Sequence, residues 1–187
     1  MTTRLTNLPL PFTFQFNVQT SGTPEQLQVK RRATTIAFSE NTEAADTITD
    51  SSSLFVVAGF QAGDQITVAG SASNDGTYTI DTVVAGTITL LRRNDLTTEA
   101  AGATVTLTAP KTVPDGVAVT VKAKNANTGN ITVGYSSATA LNTGTGWYSL
   151  DNNESITLQV ENIDRVWLDA TVTGEGVEVI YEKQLQA

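Results

Sequence analysis

Apolar and polar side chains alternate along most of this chain. Phe12, Phe14, Phe16 and Val18 are separated by Thr13, Gln15, Asn17 and Gln19. That period of two puts alternate side chains on opposite faces of a strand. The same period recurs at Val117/Val119/Val121, Ile131/Val133/Tyr135, Ile156/Leu158/Val160, Val166/Leu168/Ala170/Val172 and Val177/Val179/Tyr181. Each run predicts a strand with one face toward a core. The stretch 114–137, PDGVAVTVKAKNANTGNITVGYSS, carries the strongest pattern. Two alternating runs flank the turn cluster NANTGN (125–130), and that arrangement predicts a β-hairpin.

The middle of the chain changes character. Residues 26–30 and 33–38 predict short strands, 39–53 an acidic loop, and 54–59 a short apolar segment that is either strand or helical turn. Then Ile66/Val68, Tyr78/Ile80 and Ile88/Leu90 alternate, with hairpin turns at Asn74-Asp75-Gly76 and Ala85-Gly86, and Val105/Leu107 close the region. Many short strands in so few residues predict a small antiparallel barrel.

The strands in 12–30 cannot bury their apolar faces alone, because two strands are marginal in water. The simplest organisation is therefore all-β: an antiparallel β-sandwich made of 12–30 plus 112–187, with 33–110 inserted as a small β-barrel-like domain. Residues 1–11 predict an N-terminal arm. Pro9 and Pro11 keep it out of helix interiors and central strands, while Leu5, Leu8 and Leu10 are apolar enough to lie on a neighbouring chain.

Composition removes whole classes of chemistry. There is no Cys and no His, so thiolate nucleophiles, thiolate or imidazole metal sites and His-based triads are excluded. Absence of Cys also fits assembly in a reducing cytoplasm. The net charge is −8, with no basic stripe, which argues against nucleic-acid binding. The cations Lys30, Arg31 and Arg32 predict a solvated junction, as do Pro110 and Lys111 at the other end of the insert. No apolar run is long enough for a membrane span, and MTTRLTNLPLPF lacks the apolar core of a secretion signal.

Candidate chemistry is sparse. No pair of carboxylates is singled out for acid–base work. The turns Asn74-Asp75-Gly76 and Asp151-Asn152-Asn153-Glu154 could offer oxygens to calcium, but each lacks the spacing of a twelve-residue calcium loop and is better read as a hairpin turn. Gly144-Thr145-Gly146 is not followed by Lys-Ser/Thr, so no phosphate loop is expected. Neither a catalytic residue nor a cofactor is expected. Trp167 stands out: if Val166, Leu168 and Ala170 face the core, then Arg165, Trp167 and Asp169 face outward as a contact surface. The alternative is that Trp167 packs on another part of its own chain. Trp147 beside Tyr148 reads as core plus rim.

Two stretches resemble modules of tailed-bacteriophage virion proteins. The first joins SGTPEQL (21–27) to VPDGVAVTVKAKNANTGNITVGYSS (113–137). It continues through the Gly-Trp-Tyr-Ser-Leu strand, DNNESITLQV (151–160) and VWLDATVTGEGVEVIYE (166–182). It is similar to the β-sandwich of small capsid- or tail-associated proteins. The second, GFQAGDQITVAGSASNDGTYTI (59–80), resembles a small barrel module of phage structural proteins. The resemblance implies a non-enzymatic virion protein, assembled in the host bacterial cytoplasm, that decorates or cements the capsid. Its partners would be the major capsid protein or other virion proteins, and copies of itself, with a trimer among the options. A tail or head–tail adaptor component, a host-surface carbohydrate-binding module and a depolymerase are the alternatives.

Overall fold

In a computed structural model, residues 12–92, 95–141 and 148–183 are described. They begin with β1 (Phe12–Asn17) and β2 (Glu25–Gln26), followed by β3 (Val29–Ala33), β4 (Ile36–Ser39) and β5 (Thr47–Asp50). A single helical turn, α1 (Phe55–Ala58), precedes β6 (Gln65–Ala69), β7 (Gly76–Val84), β8 (Thr87–Leu90) and β9 (Val105–Ala109). After β10 (Val117–Ala123) and β11 (Ile131–Gly134) come α2 (Ser137–Ala140), β12 (Tyr148–Leu150) and β13 (Ser155–Leu158). A 3-10 turn (Ile163–Arg165) then leads into β14 (Trp167–Ala170) and β15 (Gly176–Lys183). The protein is all-β, and every named strand pair is antiparallel.

The chain divides into two units. Val29–Pro110 forms one, and the flanking segments form the other. The flanking unit contains two four-stranded sheets, β1-β15-β10-β13 and β12-β11-β14-β2. Register explains why the alternating runs belong together. Phe14 pairs with Val179, which pairs with Val121, which pairs with Ile156. Phe12, Tyr181, Val119 and Leu158 form the next row. Phe12, Phe14 and Phe16 are buried, and the Phe12 ring meets Tyr181 edge-on at 5.3 Å. Each such Phe contributes about 1.5–3 kcal/mol of burial.

The expected hairpin in 114–137 is not one. β10 pairs with β13 and β15, whereas β11 pairs with β12 and β14 in the other sheet. The turn cluster 125–130 belongs to a crossing between the two sheets. Glu175 anchors it: Oε1 accepts from the amide and hydroxyl of Thr128 and, at 2.8 Å, from the Gly129 amide. Asn127 and the Gly176 backbone exchange hydrogen bonds of 2.9 and 3.2 Å. Gly129 is required by space here. A Cβ at this position would collide with Thr171 Oγ1 and crowd Glu175 Oε2 at 3.2 Å. Gly129→Ala is therefore expected to destabilise this unit by about 1–3 kcal/mol, seen as a lower urea midpoint at unchanged slope.

The inserted unit is one seven-stranded sheet, β3-β9-β6-β7-β8-β5-β4. Its boundary lies earlier than the sequence suggested. Val29 and Lys30, expected in the sandwich, start β3, which pairs with β9. The expected acidic loop contains β5, where Ile48 is the only large apolar side chain and is fully buried. The segment 54–59 resolves as the helical turn α1, with Gly59 left-handed at φ 96° as its cap. The barrel-like expectation is corrected in one respect: among the described residues no strand pairing joins β3 to β4, so the sheet stays open. Side chains bridge the gap instead. Arg31 Nε on β3 donates to Asp50 Oδ2 on β5 at 2.7 Å, and Thr35 Oγ1 donates to Asp50 Oδ1 at 2.6 Å. Arg31 is thus not the solvated cation that its neighbours suggested.

Val29 pairs with Ala109, so the chain leaves and re-enters the flanking unit on adjacent strands, about 5 Å apart. Lys111, expected at a surface, is only 4% exposed, with its ammonium 5.1 Å from the centre of the Phe12 ring.

Candidate functional site

The sheet β12-β11-β14-β2 ends in a cleft, and its walls follow from local chain geometry. On β11, Gly134 has no room for a side chain because Thr139 and Ala140 of α2 lie against it. A capping box between Ser136 and Thr139 holds α2 there. Tyr135 follows Gly134, and its amide donates to Thr139 Oγ1 at 3.1 Å. Its side chain does not join Ile131 and Val133 in the core, as the alternation predicted, but is 65% exposed.

Gly134 pairs with Trp167, the first residue of β14, and Trp167 pairs with Gln26 of β2. Just before β14, Asn162 caps the 3-10 turn by accepting from the Asp164 amide at 3.3 Å. Gln26 Nε2 donates to the Asp164 carbonyl at 3.2 Å, tying β2 to that turn. Thr112 forms an isolated bridge with Asn162. Around these elements opens a cleft of about 560 Å³, lined by Tyr135 and Trp167 together with Gln26, Glu161, Asn162, Arg165, Thr112 and Asp164.

Two of the residues expected at a contact surface meet here: Arg165, exposed, and Trp167, half-buried. Asp169 does not join them. It is buried, contrary to the outward face expected for it. The reason is the turn at Ser21-Gly22, which lies over that side of β14. Gly22 N donates to Asp169 Oδ1 at 3.0 Å, and Ser21 Oγ donates to the Thr171 carbonyl at 3.0 Å. Leu5, Leu8, Leu10 and Trp147 lie outside the described residues. Sequence reasoning missed Tyr135, Gln26, Glu161 and Asn162. The one available signal was Gly134, whose missing side chain makes room for α2 against the end of β11.

The two turns considered for calcium have structural roles. Asn74 is buried, accepting from the Thr97 amide at 2.7 Å and donating to the Thr97 carbonyl at 2.9 Å and Glu99 Oε2 at 3.0 Å. Asp75 accepts from the Ser71 hydroxyl and amide, which hold its carboxyl below the usual range. Asp151 accepts from Asn130 Nδ2 at 2.6 Å and its amide donates to Glu154 Oε2 at 2.9 Å. Among the described residues no cluster of three or more acidic side chains is placed to hold a metal ion. Nor is any helix among them long and apolar enough to cross a membrane.

A second exposed surface lies in the inserted unit. Phe55 N donates to the Ala85 carbonyl at 3.0 Å, bringing α1 beside the β7–β8 turn. Leu54, Val56, Val57 and Val84 there are exposed, Val84 to 61%.

The fold and its surfaces define an all-β protein of two units, one with an aromatic-lined cleft and the other with an exposed aliphatic cluster. No family model, curated protein or solved structure matches the chain.

Proposed function

We propose that this chain is a non-enzymatic structural protein of a tailed-bacteriophage virion, and within the virion a decoration or cement protein of the capsid. It acts by binding alone. The observation that carries the reading is the exposed aliphatic cluster Leu54, Val56, Val57 and Val84 on the inserted unit. Exposed apolar patches of this kind commonly mark protein–protein contacts. The major capsid protein is its partner, and many copies on a symmetric lattice turn modest contacts into firm attachment. The resemblance of 21–27, 59–80, 113–137, the Gly-Trp-Tyr-Ser-Leu strand, 151–160 and 166–182 to phage modules supports the same reading. Buried carboxylates fit it too: Asp46, Asp50, Asp169 and Glu175 accept from backbone amides, and Asp50 also from Arg31.

The test is incorporation into particles. The double variant Val56→Glu/Val84→Glu should fold with an unchanged melting temperature but be lost from purified virions. Cryo-EM of wild-type particles should locate the protein on the head at lattice copy number. Normal incorporation of the variant, or density confined to the tail, would overturn the capsid assignment.

A further inference from the structure

We propose that the cleft at Tyr135 and Trp167 is a binding site for a neutral oligosaccharide. This does not rest on the virion reading, since the site lies in the flanking unit and uses none of the aliphatic cluster.

Two aromatic residues meet at the cleft. Trp167 lies opposite Gly134 in the sheet, and Tyr135 follows Gly134 directly, so both come to the same end of that sheet. A pyranose ring has one face of C–H groups, and aromatic rings accept such a face while leaving the sugar hydroxyls free at its rim. Tyr135 has no place in the core, yet its backbone is fixed by Thr139. An aromatic on a backbone that is already fixed loses less conformational freedom when a ligand stacks on it than one on a mobile loop.

The rest of the cleft is a polar wall. Sugar hydroxyls both donate and accept. Gln26 and Asn162 bring amides that can do both, Glu161 brings acceptors, and Arg165 brings donors. The Asn162 cap and the Gln26–Asp164 bond hold this wall to the sheet. A cleft of about 560 Å³ falls within the usual range of small-ligand sites.

Glu161 and Asp164 outnumber the single cation Arg165 in the lining. That disfavours anionic sugars and nucleic-acid phosphates. A purely apolar ligand would leave the polar wall unpaired, at a cost in binding. A basic peptide is the competing ligand, and the experiment separates the two.

The purified full-length chain is screened on a printed panel of neutral di- to tetrasaccharides, and the best sugar is titrated by calorimetry. Saturable binding is expected, weakened about tenfold or more by Trp167→Ala and by Tyr135→Ala, with melting temperatures near wild type. Tyr135→Ala decides the matter if Trp167→Ala folds poorly, because Tyr135 is not part of the core. In a Trp147→Phe background Trp167 is the only indole, and its fluorescence should shift as the sugar saturates. Val56→Glu/Val84→Glu should bind sugar normally. The proposal is overturned if no sugar on the panel binds, or if both aromatic variants bind like wild type. Binding of an oligolysine peptide in place of any sugar also overturns it.

Discussion

A chain lacking residues 1–28 is expected to lose the cooperative unfolding of its flanking unit. That truncation removes β1, which covers one edge of β15, and takes Phe12, Phe14, Phe16, Val18 and Leu27 out of the core. At about 1.5–3 kcal/mol for each of these large apolar side chains, the loss is comparable to the roughly 5–15 kcal/mol of a typical domain's stability. Removing Val29–Pro110 instead should be tolerated. Its ends leave on paired strands, so a few Gly/Ser residues can join Gln28 to Lys111. Thermal melts followed by circular dichroism compare the two constructions. Should residues 111–187 alone melt cooperatively at the temperature of the flanking unit in the full chain, the two-segment unit is refuted.

The second large effect is expected at Asp50. Its side chain is fully buried and receives Arg31 Nε at 2.7 Å, Thr35 Oγ1 at 2.6 Å and the Ser52 amide at 3.0 Å. Asp50→Ala leaves Arg31 facing a cavity without its partner. Breaking a buried pair in this way costs about 3–5 kcal/mol, far above the value of an exposed pair. Urea unfolding with hydrogen exchange read at β3 and β5 reports the loss within the inserted unit. A shift of under about 1 kcal/mol would mean that the pair behaves as if it were on the surface.

The same site sets an acid limit. Burial alone would raise the Asp50 carboxyl, but hydrogen bonds from Arg31, Thr35 and Ser52 and the Arg31 charge lower it on balance. A carboxyl lowered in the folded state stabilises fully above its ordinary value of 3.8, and the contribution disappears as pH falls through the folded value. The wild-type inserted unit should lose stability in that window, and Asp50→Asn should lack this part of the slope.

What the sequence disclosed follows from what a period of two can encode. It reports which side chains share a face, so the rows Phe12/Phe14/Phe16, Val119/Val121 and Val177/Val179/Tyr181 were legible as core. It says nothing of which strand lies alongside. Hence 114–137 read as a hairpin, although the contacts that separate β10 from β11 come from Glu175 and Asn127. Faces were also misassigned wherever a polar group is buried with its partners. Asp169 counted as outward because Gly22, one of the donors it accepts from, is 147 residues away in sequence. β5 was hidden for a related reason: in Thr47–Asp50 only Ile48 is apolar, and Asp50 is buried through Arg31. The cleft was half visible. Trp167 and Arg165 were picked out by their place on one strand, whereas Tyr135 followed the alternation of β11 and was counted as core.

The pairing of β1 with β15 has a consequence in time. These are the first and last described strands, so Phe12 meets Tyr181 only after all the residues between them have been synthesised. A ribosome delivers the three phenylalanines of β1 first and their partner strand last. Until then they are an apolar segment in search of a surface, the kind of exposure that feeds aggregation. The inserted unit relieves this problem. All its strand partners lie within its own segment, so it can fold while the remainder is being made. Once β3 and β9 pair, Gln28 and Lys111 are held side by side, and the loop that β1 and β15 must close shrinks by the length of the insert. Folding order is thereby written into the connectivity: inner unit first, outer strands last, the first drawing the ends of the second together.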